Sequence, residues 1–124
     1  MTQYLKGLCL DDEHFNRLND LLKRDGTYIK DTERIALFYI LGAVEKFYKV
    51  SKQIYDFNDH SINLDIFERV DFSSGERKLL ILGFNLYNSY KSEVYGNDVM
   101  SLFSGLDEDN FTTAIRAVHI RFNR

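Results

Sequence analysis

The chain has 124 residues, one cysteine, no tryptophan and no proline; 44% of it is hydrophobic, 28% is charged, and its formal net charge is -3. That length suffices for one domain over residues 1–124 with a core that needs no metal or disulfide staple. The acidic balance excludes an overall electrostatic footprint for DNA or RNA.

The 10 Phe and 8 Tyr predict a core rich in phenylalanine with tyrosine at its edge. Cys9, between Leu8 and Leu10, has no intramolecular partner and reads as a buried, inert thiol in a reducing compartment. The N-terminus lacks a charged region followed by an apolar segment, so no signal peptide is expected. The longest apolar run, Ile35 to Val44, is too short to span a bilayer. Both features predict a cytoplasmic protein with no membrane partner.

Met1 to Leu10 alternates weakly and fits an extended segment or a short helical turn. Asp11 or Asp12 then caps a helix whose apolar positions are Phe15, Leu18, Leu21 and Leu22. Lys23 and Arg24 suit its last turn, and Gly26 stops it. The stretch Asp31 to Tyr48 predicts the central helix, capped by Asp31 or Thr32 with Glu33 in its first turn. Ala36, Leu37, Ile40, Leu41, Ala43, Val44, Phe47 and Tyr48 share one broad face, while Gly42, Glu45, Lys46 and Lys49 lie opposite. Ile35, Phe38 and Tyr39 fall on that opposite side too, which makes the first half apolar all round and predicts burial on both sides.

Val50 to Tyr55 prolongs this helix or starts another. Asp56 to Asn63 is turn-rich, and a short helix is expected around Asp65 to Arg69. Ser73 and Glu76 have capping-box spacing, and Glu76 to Lys91 reads as the second long helix. Its stripe is Leu79, Leu82, Gly83, Leu86 and Tyr90, and Gly83 offers the central helix a close approach. Asn97 or Asp98 caps a short helix carrying Val99, Met100, Leu102 and Phe103, stopped by Gly105. Asp107 opens the last helix, with Phe111, Ala114, Ile115, Val118 and Phe122 as its inward stripe. With no convincing alternating segment, the expected fold is all-α: a compact bundle of five or six helices around the central hydrophobic one.

No pattern of catalytic chemistry stands out. His14, His60 and His119 are dispersed, and HExxH, CxxC, GxSxG and glycine-rich phosphate loops are all absent. Asp56, Asn58 and His60 imitate the opening of a calcium loop, but Ser61 stands where glycine is needed and Phe67 where the bidentate glutamate belongs. The three histidines therefore read as surface or helix-end residues, and no metal or cofactor is expected. Asp107, Glu108 and Asp109 are what a helix N-terminus favours.

Two surfaces remain as candidates. Ile81 shares a face with Lys78, Asn85 and Asn88, and Ile120 shares one with Arg116 and Asn123. Ile35, Phe38, Tyr39, Ile81, Asn85 and Asn88 are therefore the candidate contact residues for a protein partner or a second copy of the chain. For Ile35, Phe38 and Tyr39, burial under the last helix is the competing expectation. Arg116, His119, Arg121 and Arg124 form a candidate basic strip, though cations suit a helix C-terminus in any case.

The segments LFYIL (Leu37 to Leu41), IYDF (Ile54 to Phe57), VDFSS (Val70 to Ser74), FNLYN (Phe84 to Asn88), LDEDNF (Leu106 to Phe111) and IRF (Ile120 to Phe122) carry a resemblance over nearly the whole chain. The chain resembles a family of small uncharacterised proteins found in phages, prophages and other mobile elements of Gram-positive bacteria. These are packing and capping motifs, so the resemblance implies a bacterial cytoplasm and a phage-type setting but transfers no catalytic residue. The leading expectation is a non-enzymatic protein that binds another protein, a host or phage factor. The alternatives are nucleic-acid binding through the basic strip, and a small-ligand binder or enzyme with a pocket between helices.

Overall fold

The computed structural model describes residues 2–124, so Met1 lies outside the described residues. The fold is all-α apart from one small ribbon, with nine helical segments among the described residues. Helix α1 (Thr2–Leu8) occupies the first segment. Helix α2 (Asp12–Asp25) starts where Asp11 accepts a bond from the His14 amide and stops where Gly26 turns left-handed at φ 69°. Helix α3 (Thr32–Ala43) is capped by Asp31, which accepts from the Arg34 amide.

The central helix is shorter than Asp31 to Tyr48. Val44 is extended (φ -112°, ψ 116°) and breaks the run. Arg17 Nε takes up the Gly42 carbonyl at 2.6 Å, supplying a donor to one of the carbonyls that a helix end leaves unpaired. The chain resumes as α4 (Glu45–Lys49) and α5 (Ser51–Ile54), which bury Phe47 and Ile54. A two-residue antiparallel ribbon follows, β1 (Tyr55–Asp56) against β2 (Ser61–Ile62), pairing Tyr55 with Ile62 and Asp56 with Ser61. Strands this short carry no alternation for a sequence to show. Asp56 Oδ1 closes the loop by accepting the Asn58 and Asp59 amides at 2.8 and 3.0 Å.

Helix α6 (Ile66–Arg69) leads to α7 (Ser74–Asn88), which has the full reciprocal cap between Ser73 and Glu76. Helix α8 (Val99–Phe103) is capped by Asp98, and α9 (Glu108–Phe122) by Asp107. The segment count exceeds the expected five or six because four of the nine helices have five residues or fewer.

Helix α3 is the centre of the core. Every residue from Ile35 to Gly42 is buried, and α2, α7 and α9 all pack on it. The all-round apolar half of this helix is thus enclosed, as its sequence predicts. Among the described residues no helix is long and apolar enough to cross a membrane.

Candidate functional site

The main polar cluster of the core forms where α2 ends, α3 begins and the ribbon turns back. Asp25, the last residue of α2, has a carboxylate closed off from solvent. A buried carboxylate at a helix C-terminus faces both desolvation and the negative end of the dipole, so it persists only with donors around it. Tyr55 Oη and His60 Nδ1 lie 2.8 and 2.6 Å from its Oδ1, and Thr27 Oγ1 lies 2.6 Å from its Oδ2. Arg34 stands 3.5 Å from the same Oδ2. Burial pushes the Asp25 carboxyl up, but the bonds from Thr27, Tyr55 and His60 and the Arg34 charge outweigh it and hold it below the ordinary range. Burial and the adjoining Asp25 carboxylate push the Tyr55 hydroxyl up, so it remains the donor.

His60 sits in the left-handed region at φ 57°, unusual for a side chain of that size. Its carbonyl accepts a bond from the Tyr87 hydroxyl near the end of α7, and its amide donates to the Asp56 carbonyl at 2.7 Å. An ionised Asp25 can only accept, so Nδ1 is the ring nitrogen that donates to it. An open pocket of about 450 Å3 adjoins it, lined by Glu33, Arg34, His60, Ile62, Leu64 and Tyr87 among others.

Neither residue of this pair was marked out as functional by the sequence. His60 looked dispersed, and the two are 35 residues apart. One signal was present: Asp25 follows Lys23 and Arg24 in a last turn that favours cations, and an acid there needs partners. His14 is corrected as well. It is fully buried rather than on the surface, accepting the Leu10 amide at Nδ1 (3.0 Å) and donating from Nε2 to the Tyr39 carbonyl (2.8 Å). With both nitrogens satisfied, it is a structural residue. Cys9 is half-buried, and burial pushes its thiol up to about 11. No group of three or more His, Cys, Asp or Glu side chains is arranged to hold a metal among the described residues.

The expected contact surface is not a surface. Ile35, Phe38, Tyr39 and Ile81 are all buried, so none is available to a partner. Phe38 lies under the ribbon, its ring against Tyr55 and Phe57. Tyr39 packs on His14 and donates to the Leu8 carbonyl at 2.5 Å, so α1 and α2 share in covering it. Ile81 is closed over by the segment after α7. Lys78 reaches the Ser104 carbonyl and Asn85 donates to the Tyr90 carbonyl, so the polar side chains of that face tie the cover down. Asn85 is half-buried in this role. Asn88 is exposed, and its Oδ1 accepts the Tyr90 amide.

The basic strip is not brought together either. Arg116 donates to the Leu8 carbonyl at 2.8 Å, capping α1, and Arg121 donates to the Leu86 carbonyl at 2.7 Å. Five residues apart on a helix, they point about 140° from one another. His119 and Arg124 remain exposed.

Helix α9 keeps Ala114 of its predicted stripe in the core but turns the bulkier members outward. Thr113, Ala114, Ala117 and Ile120 face the core. Ile120, expected to stray outward, is buried. Phe111, Ile115 and Phe122, expected inward, are 46%, 36% and 60% exposed, and half-buried Val118 shares their side. Spaced at i, i+4, i+7 and i+11, these four form one outward apolar face. It continues through the Phe111–Phe103 ring contact, 5.9 Å between centroids, onto α8, where Val99 and Met100 are each 71% exposed.

The chain belongs to a family of unknown function, DUF6075, whose model matches residues 6–124. No curated protein and no solved structure matches it significantly.

Proposed function

We propose that this protein acts by binding another protein through the outward face of α9 and the adjoining α8. The carrying observation is the apolar stripe of exposed Phe111, Ile115 and Phe122 with half-buried Val118 among them, although the same helix has a second face that fills the core. Contiguous exposed apolar area of this kind is characteristic of interaction sites. Its ends carry opposite charge, with Glu108 and Asp109 in the first turn and the exposed Arg124 just past the last. The matching partner presents an apolar helix or groove with cations near the first end and carboxylates near the second. A second copy lying antiparallel satisfies that pattern too. The resemblance to phage and prophage proteins supplies the setting: a bacterial cytoplasm, with a host or phage protein as the target.

A photo-crosslinking residue at position 115 tests this in cells and on purified protein. It should give one dominant adduct, lost in Phe111→Glu/Phe122→Glu, while a probe at exposed Asn58 gives none. An adduct of twice the chain mass identifies the second copy as the occupant. Equal labelling from positions 115 and 58 would sink the proposal.

A further inference from the structure

The outward stripe of α9 keeps the alternation of a helix-pairing seam. Phe111, Ile115, Val118 and Phe122 follow one another by four, three and four residues, and exposed Glu108 stands three residues before Phe111. Spacing that averages 3.5 residues keeps one face turned to a second helix along its whole length. The seam is complementary to itself in one direction. In an antiparallel copy, the register that sets Phe111 against Phe122 also sets Ile115 against Val118. The same register brings Glu108 of each copy beside the other's exposed Arg124. A parallel copy would instead set the acidic first turns against each other, and Arg124 against its own counterpart, a repulsion at both ends.

Nothing between the ends opposes that pairing. From Asn110 to Asn123 the helix has no carboxylate, and Arg116 and Arg121 are turned to the Leu8 and Leu86 carbonyls of their own chain. Val99 and Met100 on α8, each 71% exposed, prolong the apolar surface past the Phe111 end, where the Phe122 of a second copy arrives. We propose that in the free protein a second copy of the chain covers this face, packed antiparallel about a two-fold axis level with the gap between Ile115 and Val118. The inference rests on the reading of this face as an interaction site and adds what occupies it before a target does. A target then binds only as the dimer parts.

Sedimentation of the full chain over a range of concentrations tests this, and a reversible monomer–dimer equilibrium is expected. Phe122→Glu should weaken the dimer by about tenfold or more. Glu108→Arg and Arg124→Glu should each weaken it by about threefold to tenfold, and the double variant should restore it. The double variant carries the wrong charge at both ends of α9, so restored association comes from the pairing between copies and not from a better helix. If Phe122→Glu fails to fold, as judged by its thermal melt, the charge-swap series decides. A monomer at every concentration, a dimer unchanged in folded Phe122→Glu, or a double variant no tighter than the single ones would overturn the proposal. A monomeric chain that still crosslinks from position 115 to a different protein would refute the second copy alone and leave the α9 face as an interaction site. Equal labelling from positions 115 and 58 would sink both.

Discussion

Adding one methyl group at Gly42 should destabilise the protein, although alanine is the better helix former. A Cβ built at Gly42 lies 3.0 Å from the Leu18 amide nitrogen and 3.3 Å from its Cα, so what it meets is the backbone of α2. Helices α2 and α3 cannot both keep their positions around that atom. Gly42 is the penultimate residue of α3, so the propensity gain falls short of the about 1 kcal/mol seen in helix interiors. Overpacking a well-filled contact costs about 1–3 kcal/mol. The net expectation for Gly42→Ala is a loss of about 1–2 kcal/mol, or roughly 4–8 °C in Tm for a chain of this size. Gly83 in α7 is the control, because a Cβ there meets only methyl ends of Ile40 and Leu37 at 3.4 Å. Those flexible ends can yield, so Gly83→Ala should be neutral or slightly stabilising, within about 0.5 kcal/mol. Urea denaturation followed by far-UV circular dichroism measures both. A Gly42→Ala variant as stable as Gly83→Ala would refute the close backbone contact.

The buried His14 predicts a loss of stability in mild acid. Burial lowers its proton affinity, to about 4 against 6.5 in the unfolded chain, so between those values only the unfolded state takes up the proton. Stability should be complete above pH 6.5 and fall by roughly 3 kcal/mol on the way to pH 4. In His14→Gln that slope should vanish from denaturation midpoints measured at pH 7 and 4.5. Asp25, held below its ordinary range, adds a contribution present above 3.8 and lost at lower pH. The orientation of α9 predicts a contrast between two nearby positions. Ile120→Ala should cost about 2–4 kcal/mol and Phe122→Glu less than about 1 kcal/mol, and the reverse order in thermal melts would mean that the helix packs on its other side.

What the sequence made legible was the placement of helix ends and the identity of the central element. Asp11, Asp31, Ser73, Asp98 and Asp107 all cap as side-chain chemistry dictates, because capping is local. The all-round apolar run in α3 announced enclosure for a similarly direct reason. The break at Val44 was illegible, since the donor that takes up the Gly42 carbonyl there, Arg17, comes from another helix. The two faces of α9 were misassigned because periodicity finds an apolar stripe without saying which of two it is. Both faces of this helix have helical spacing, and the fold selects the one with smaller side chains. Ala114 and Ala117 let α9 approach α3, whereas Phe111, Ile115 and Phe122 would hold it away.

Size complementarity therefore overrode total hydrophobicity in the last helix, and that choice is what leaves bulky apolar residues outside. The same logic accounts for the polar cluster. Asp25, Tyr55 and His60 are separated by 30 and 35 residues, and no local rule joins them. They meet because the break at Val44 and the short helices after it bring the ribbon back over the end of α2. The ribbon covers Phe38 with Tyr55 and Phe57, and the same turn sets His60 against Asp25. Core closure alone requires only the aromatic residues of that ribbon. The left-handed His60, held by Asp56, Tyr87 and Asp25, is the part of the ribbon that aromatic packing does not require.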